Sequence, residues 1–227
     1  MPVSNPRTIR SFVRRSGRLT PAQARALEEF WPRYGVDCPD GKLDLERLFG
    51  RVSERVLEIG FGNGESLIQL AAANPDLDYL GVEVHKPGVG HCLLLAAQAE
   101  IANLRVICGD AITVMQENLA DATFCRINLY FPDPWPKKRH HKRRILQPRF
   151  LVLAGQKLRP GGSLNLATDW AGYADHIDEL IAGQRLFELA ERRSHSGENA
   201  LDRPMTKFEK RGLREGHRIY DWSLRRI

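Results

Sequence analysis

The sequence lacks the features that mark several protein classes. No apolar run in the 227 residues approaches the roughly 18 that a membrane-spanning helix needs. The N-terminus is rich in arginine and has no apolar core, so it does not resemble a secretory signal. Four cysteines are present without C-x-x-C spacing, which argues against a zinc ribbon or a disulfide framework. A reducing cytoplasm is therefore the expected compartment.

Charge is distributed unevenly along the chain. The formal net charge is +6, and residues 137–144 hold six Lys and Arg and no acid. The other 28 Lys and Arg equal the 28 Asp and Glu in number, so this one run accounts for the excess. Two further basic zones lie at residues 7–18 and 203–226. Such segregation suggests a polyanionic partner rather than a generally basic surface.

The length suits one sizeable α/β domain with an extension. Residues 1–19 are polar and rich in arginine, so a mobile arm is expected there. Thr20 and Pro21 are expected to begin a helix that Pro32 ends. We therefore predict a basic arm and short helix over residues 1–35 and one α/β domain over residues 36–227.

From residue 55 onward, strand-like and helix-like segments alternate, which is typical of a mostly parallel sheet with helices on both faces. Seven strands are predicted, the last of them antiparallel, at residues 55–59, 79–84, 104–107, 122–130, 163–167, 186–189 and 220–224. The intervening helices are predicted at residues 66–73, 87–101, 112–119, 145–158 and 173–182.

A glycine-rich turn follows the first predicted strand. Gly60, Gly62 and Gly64 occupy alternate positions, where the backbone can take a positive φ or lie close against a ligand. A dinucleotide fingerprint needs its third glycine at position 65, which is Glu65 here. Glu58, just before the turn, disfavours a phosphate and suits a cationic ligand such as the amino group of a methionine moiety. This E-x-G-x-G-x-G pattern resembles motif I of class I S-adenosylmethionine-dependent methyltransferases.

Acidic residues follow the first five predicted strands, one after each. They are Glu58, Glu83, Asp110, Asp133 and Asp169. Ligands of such sheets bind over the carboxyl ends of the strands, so these side chains are expected to surround one site. Glu83 is placed to accept hydrogen bonds from a ribose diol. Asp110 is placed either to meet an adenine edge or to cap the following helix, and the residues alone leave both roles open.

The loop after the fourth strand reads Phe-Pro-Asp-Pro-Trp-Pro from residue 131 to 136. Prolines on both sides of Asp133 restrict the backbone and orient the carboxylate. An acid beside Trp135 suits a splayed base, because the carboxylate can bind the edge of the base and the aromatic ring can stack on its face. A plain proline-rich turn is the alternative interpretation.

With the basic run that follows it, this loop resembles the bacterial tRNA (guanine-N7)-methyltransferase family. The motifs that carry the resemblance are F-P-D-P-W-P-K-K-R-H-H-K-R-R, E-I-G-F-G-N-G, G-V-E-V-H-K-P-G-V-G and T-K-F-E. It spans roughly residues 55–222 and implies a Rossmann-like class I methyltransferase fold. The implied reaction is methyl transfer from S-adenosyl-L-methionine to N7 of the variable-loop guanine of tRNA, position 46. The resemblance implies neither a metal nor an obligate protein partner.

The resemblance also assigns site residues. Cofactor contacts are expected at Glu58, Gly60, Gly62, Gly64, Glu83, Asp110 and Asp133, and Asp133 is the expected catalytic residue. Substrate contacts are expected at Lys137, Asp169, Thr206, Lys207, Phe208 and Glu209. Contacts to tRNA are expected at Arg139, His140, His141, Lys142, Arg143 and Arg144.

Three other functions are compatible with parts of the sequence. An amino-group methyltransferase acting on another RNA or a protein usually has a second proline after its acidic residue, and Trp135 stands there. A nicotinamide-dependent reductase is disfavoured by Glu65. A catalytically silent RNA-binding protein of the same fold would leave the acids at the strand ends without a role.

Overall fold

The computed structural model describes residues 11–12, 17–197 and 203–227. Seven strands form one sheet in the order β3-β2-β1-β4-β5-β7-β6. The strands are β1 (Glu54–Ile59), β2 (Leu77–Glu83), β3 (Leu104–Cys108), β4 (Phe124–Tyr130), β5 (Leu158–Thr168), β6 (Phe187–His195) and β7 (Ile219–Arg226). The prediction of a seven-stranded, mostly parallel sheet is confirmed.

Strand order reverses between β1 and β4. The chain runs outward from β1 to β2 and β3, then returns so that β4 pairs with the other edge of β1, all in parallel. The connections after β1 and β4 therefore lead to helices on opposite faces of the sheet, α4 (Glu65–Ala73) and α7 (Pro148–Lys157), and leave a crevice where doubly wound sheets bind ligands. The crossovers are made by α4, α5 (Lys86–Gln98) and α6 (Ala111–Glu117).

The last strand lies inside the sheet rather than at its edge. β7 pairs antiparallel with β5 on one side and with β6 on the other. The helices in this half are α7 (Pro148–Lys157), α8 (Ala171–Ala182) and α9 (Lys207–Arg214). Pro160, Gly161 and Gly162 were expected to end a helix and precede β5, but they belong to β5, which begins at Leu158. β5 begins at the residue after α7 ends, so the helix does end before Pro160 as predicted. Residues 159–162 form an irregularity within β5, with a register shift against β4 and a φ of +75° at Gly161.

Between residue 17 and β1 lie three short helices: α1 (Pro21–Glu29), α2 (Trp31–Tyr34) and α3 (Leu45–Phe49). Thr20 caps α1 in a capping box with Gln23, as the sequence predicts for its start. The prediction that Pro32 ends a helix is wrong, because Pro32 lies in the first turn of α2. Backbone N–H groups in the first turn have no hydrogen-bond partner within the helix, so a proline is tolerated there.

Apolar side chains form a core on each face of the sheet. Leu57 and Ile127 belong to the cluster that packs under α6, α7 and α8. Val56 and Val106 belong to the opposite cluster, under α4 and α5. Ala26 of α1 packs in this second cluster, so the segment before residue 36 shares a core with the domain that follows it. The domain boundary at residue 35 stays a prediction.

Candidate functional site

The glycine turn between β1 and α4 has the backbone geometry that its sequence predicts. Gly60, Gly62 and Gly64 have φ values of +72°, +60° and +86°, a region that favours glycine. Gly64 is also packed tightly, since a Cβ built on it would lie 2.5 Å from the Cys92 sulfur. A side chain at Gly64 would therefore both strain the turn and push α5 away.

A cavity of about 540 Å³ opens over the carboxyl ends of β1, β2, β3 and β4. Six of the predicted cofactor residues line it: Glu58, Gly60, Gly62, Glu83, Asp110 and Asp133. Gly64, the seventh, is not among the lining residues and acts as the N-cap position of α4. The acids at four successive strand ends thus do surround one site.

Glu58 lies at the floor of this cavity with 3% of its surface exposed. Burial raises its pKa to about 7, against the opposing effects of a hydrogen bond with Asn128 and the charge of Arg203. Its Oε2 atom has no hydrogen-bond partner among the described residues. A buried carboxylate with a free oxygen lacks the partner that such groups normally have, so Glu58 fits a ligand that brings a donor or a cation.

Ser66 presents a second unpartnered oxygen to the cavity. Its Oγ is buried in the first turn of α4 and lacks a hydrogen-bond partner in the described part of the chain. The expected cofactor, S-adenosylmethionine, carries hydroxyl, amino and carboxylate groups that can satisfy both oxygens. The residues present therefore fit it. Sequence reasoning missed Ser66, because a serine at the start of a helix is usually a cap.

Glu83 and Asp110 each bind backbone as well as facing the cavity. The Glu83 carboxylate accepts from Gly62 N at 2.9 Å and from His85 N at 2.8 Å, which holds the glycine turn against β2. Asp110 accepts from Ile112 N at 2.9 Å and caps α6. A carboxylate has about four lone-pair sites, so acceptor capacity is left for a ribose diol and an adenine amino group. The helix-capping role of Asp110 is confirmed, and its contact with an adenine edge stays a prediction.

The loop that carries Asp133 is constrained more strongly than its prolines alone imply. Phe131 and Trp135, on either side, have φ values of +50° and +43°. Bulky residues rarely take this conformation, and each such residue costs about 1–3 kcal/mol. Arg144, only 3% exposed, donates from Nε to the Pro134 carbonyl at 2.9 Å and lies over the Tyr173 ring. The exposed Asp133 side chain is thus held on a rigid segment beside the cavity.

Trp135 does not line the cavity, contrary to the expectation that it stacks on the base. Its indole N–H donates to the Ser11 carbonyl at 3.1 Å, and Arg143 lies 4.1 Å from the ring centroid. Ser11 and Phe12 line the cavity and are the only described residues of the predicted arm before residue 17. The expectation that residues 1–19 form a mobile arm falls largely outside the described residues.

The substrate residues near the C-terminus divide into two groups. Thr206, Lys207 and Phe208 line the cavity, and Phe208 is 57% exposed. Glu209 is fully buried instead, completing a capping box with Thr206. Asp169 lies outside the cavity lining, where it contacts His217 Nδ1 at 3.4 Å. Thr206 is the N-cap of α9, which begins at Lys207.

A buried ionic cluster packs against Tyr130 and Phe131, which line the cavity. Arg203, with 1% of its side chain exposed, pairs with Glu209 of α9 and with Asp221 of β7, the latter at 2.7 Å. The Arg203 guanidinium also lies over the rings of Tyr130 and Phe131, 5.1 and 5.3 Å from their centroids. This cluster connects α9 and β7 to the start of the Asp133 loop. Sequence reasoning missed it, because it counted Arg203 within an exposed basic zone.

The basic run after the loop forms a 3-10 helix, Lys138–Arg143, on the surface. Arg139 and Lys142 are exposed, and His140, His141 and Arg143 are partly exposed. Lys137, just before it, is exposed and outside the cavity lining. Arg144 differs from the others, because burial leaves its guanidinium no surface to offer a phosphate.

The described residues contain neither a metal-binding cluster nor a membrane-spanning helix. Among residues 11–12, 17–197 and 203–227, no group of His, Cys, Asp and Glu side chains could hold a metal ion. No helix in the same part of the chain is long and apolar enough to span a membrane.

Comparisons with known proteins agree on one family. Residues 53–222 match the family model Methyltransf_4, described as "Putative methyltransferase". A tRNA (guanine-N(7)-)-methyltransferase of Halorhodospira halophila is 53% identical over 98% of this chain and 97% of the relative. One of Alkalilimnicola ehrlichii is 52% identical over 97% of this chain and 93% of the relative.

A solved structure supports the fold. The 16S rRNA methyltransferase KamB superposes with a TM-score of 0.61 at 17% identity, covering 86% of this chain and 98% of that one. The predicted class I methyltransferase fold is therefore confirmed. The chain belongs to the tRNA (guanine-N(7)-)-methyltransferase family, whose methyl donor is S-adenosyl-L-methionine.

Proposed function

We propose that this chain methylates N7 of the variable-loop guanine at position 46 of tRNA, with Asp133 as its catalytic residue. The observation that carries the proposal is the convergence of four acids, from the ends of four strands, on one cavity. Family membership supports the reaction, and the position of these residues on one cavity supports the roles proposed for them. The cytoplasm, where tRNA is found, is the proposed compartment.

The acidic floor suits a cationic methyl donor. We assign Glu83 to the ribose diol, Asp110 to the adenine amino group and Glu58 to the amino group of the methionine moiety. S-adenosylmethionine supplies an electrophilic methyl group on a positively charged sulfur. Because Glu58 is buried and its pKa is raised to about 7 by that burial, a bound cation would favour its ionised form. Binding at slightly acidic pH should therefore release a proton from Glu58.

Guanine N7 carries a free lone pair, so no proton must be removed before it reacts. Bound S-adenosylmethionine would supply the methyl group, with the carbon–sulfur bond breaking as the bond to N7 forms and positive charge passing from sulfur to the purine ring. Asp133 can accept hydrogen bonds from the guanine N1–H and N2–H, which aligns the base, and its negative charge stabilises the cationic ring. Asp133 thus acts by orientation and charge rather than as a general base.

The remaining residues hold the RNA in our proposal. Phe208, exposed at the cavity beside Thr206 and Lys207, is placed to cover a splayed base. Lys137, Asp169 and the exposed 3-10 helix lie outside the cavity lining, where the flanking nucleotides would pass. Glu209 and Arg144 are buried, so we assign both to positioning, of α9 and of the Asp133 loop respectively.

Substitution of Asp133 tests the proposal. Asp133→Asn keeps the size of the side chain but removes its charge, and Asp133→Ala removes the carboxyl group. We expect kcat to fall by roughly 100- to 1,000-fold for Asp133→Ala, the usual loss for one preorganised electrostatic group. The affinity for S-adenosylhomocysteine, measured by calorimetry, should change little. Labelled methyl transfer to bulk tRNA, followed by nucleoside analysis, measures kcat and identifies the methylated atom.

Glu188→Gln is the matched control, because Glu188 is an exposed carboxylate on β6 and lies outside the cavity lining. It should leave kcat unchanged. Loss of S-adenosylhomocysteine binding in Asp133→Ala would contradict the role assigned to Asp133. A methyl group found on an exocyclic amino group instead of N7 would contradict the proposed reaction.

A further inference from the structure

The structure divides the C-terminal basic zone, residues 203–226, into parts with different surroundings. Arg203 is buried with two carboxylates, so it is unavailable to a partner. Arg225 and Arg226 end β7 beside the start of β5, at the end of the sheet opposite the cavity. Only α9 places cations from this zone at the cavity. The electrostatic role of the zone therefore depends on α9.

The cations of α9 share one face of the helix. Lys207, Lys210, Arg211 and Arg214 follow the i, i+3, i+4, i+7 spacing of a single helical stripe, and all four are exposed. Three of them, Lys207, Arg211 and Arg214, line the cavity. The opposite face carries Glu209 and Gly212, which are both buried. The basic stripe is thus continuous and points away from the core.

Two contacts of the buried face of α9 fix the orientation of this stripe. Glu209 pairs with Arg203 under the helix, as described above. One turn later, Gly212 lies so close to Asp169 that a Cβ there would be 2.9 Å from its carboxylate. Thr206 caps the first turn. Because α9 is held at both ends of its buried face, its cations are presented as a preformed surface.

The cavity therefore has an acidic floor and a basic rim. The floor suits a cationic cofactor, whereas three cations on the rim repel one. Of the four cations, Arg211 forms an ion pair, with the exposed Glu215, and the described residues provide no such partner for the other three. A basic surface on the α9 side of the cavity suits an anionic partner, and the three cations without an ion pair exceed what one cofactor carboxylate can neutralise.

We propose that the exposed face of α9, formed by Lys207, Lys210, Arg211 and Arg214, binds backbone phosphates of the tRNA strand that carries the acceptor guanine. It is a second phosphate-binding surface, separate in sequence from the 3-10 helix at Lys138–Arg143. The inference rests on the proposed function, because it takes tRNA as the substrate. Phosphate contacts of this kind give affinity and register without reading sequence.

The test uses the full-length protein saturated with S-adenosylhomocysteine, and it measures the affinity for tRNA over a range of salt concentrations. In Lys210→Ala/Arg214→Ala, two phosphate contacts are lost. The slope of log K against log salt should become smaller in magnitude by about 1.4–1.8. The loss of affinity between 50 and 200 mM salt should then be about tenfold smaller than in the wild type.

A matched control removes two cations at the other end of the sheet. Arg47 of α3 and Arg185 before β6 are exposed and precede the amino ends of β1 and β6. Arg47→Ala/Arg185→Ala changes the net charge equally and should leave the salt slope unchanged. The affinity for S-adenosylhomocysteine and the thermal unfolding midpoint should stay at wild-type values in both double variants.

A wild-type salt slope in Lys210→Ala/Arg214→Ala would overturn the inference. If the same variant also lost affinity for S-adenosylhomocysteine, that result would assign these cations to the cofactor carboxylate instead. Both leave the proposed function intact, since methylation of N7 by the wild-type protein is measured separately.

Discussion

Two arginine-containing regions beside the cavity use the same side chain in opposite ways. In the 3-10 helix, Arg139 and Lys142 are exposed and remain available to an anionic partner. In the buried cluster, Arg203 is enclosed by Glu209 and Asp221 and stacks on two aromatic rings. The first region can give salt-dependent binding, and the second gives structure. Counting basic residues along the sequence does not separate the two.

Arg144 lies at the boundary between an exposed and a buried environment. It directly follows the 3-10 helix, yet it is buried and bonded to the Pro134 carbonyl. Burial lowers the pKa of its guanidinium from the ordinary value. An exposed basic helix and a buried side chain that holds the Asp133 loop are thus adjacent in sequence.

The largest effect is expected from Arg203→Ala. Removing the guanidinium leaves Glu209 and Asp221 buried without their cation, and breaking a buried pair in this way costs about 3–5 kcal/mol. The free energy of unfolding, measured with urea, should fall by that amount. Arg139→Ala, the exposed counterpart, should change it by less than about 0.5 kcal/mol. Equal effects of the two substitutions would remove the distinction between the regions.

A second prediction concerns Glu58, whose pKa is lowered by the charge of Arg203 but raised more strongly by burial. Burial raises its folded-state pKa from 4.5 to about 7, so the folded protein binds the extra proton between these pH values. The free energy of unfolding therefore decreases as pH rises through this window, by on the order of 3 kcal/mol in the cofactor-free protein. Glu58→Gln should remove this decrease and become more stable than the wild type at pH 8.

Denaturant unfolding between pH 5 and pH 8 measures this difference, with Glu188→Gln as an exposed control. Glu58→Gln should also weaken S-adenosylmethionine binding, so greater stability would accompany poorer function. The same pH dependence in Glu58→Gln and wild type would contradict the assignment of the raised pKa to this carboxylate.

The smallest effects separate Arg144 from Lys142. Arg144→Ala should lower the free energy of unfolding by about 1.5–3 kcal/mol, because it removes a buried charged donor, without altering the tRNA salt slope. Lys142→Ala should do the reverse, changing stability by less than about 0.5 kcal/mol and the slope by about 0.7–0.9. A reduced tRNA salt slope in Arg144→Ala would contradict the purely structural role given to Arg144.

Much of the fold follows from local sequence patterns. The strands β1 to β4 are runs of apolar residues bounded by turns, and their existence and direction were predicted correctly. The errors occur where one residue type serves two structures. Pro32 can end a helix or start one, and Gly161 and Gly162 can stop a helix or lie in a strand. Contacts distant in sequence decide these cases, and the sequence order alone does not contain them.

The cavity floor was predictable because parallel strands bring their carboxyl ends together. Glu58 and Asp133 were therefore placed on one site before any geometry was known. The cluster around Arg203 was not predictable, since it joins β7, α9 and β4 across long stretches of sequence. The burial of Glu209 and Arg144 was missed for the same reason. The roles of these residues in catalysis and binding stay predictions.

The position of β7 has a consequence for how the protein is made on the ribosome. Residues 219–226 are synthesised after β5 and β6, yet they must insert between them to complete the sheet. Asp221, which completes the pairing of Arg203, arrives with this strand. A nascent chain in which β7 has not yet left the ribosome therefore lacks part of the cluster that connects α9 and β7 to the Asp133 loop. Competence for methyl transfer should appear only once translation has passed this point.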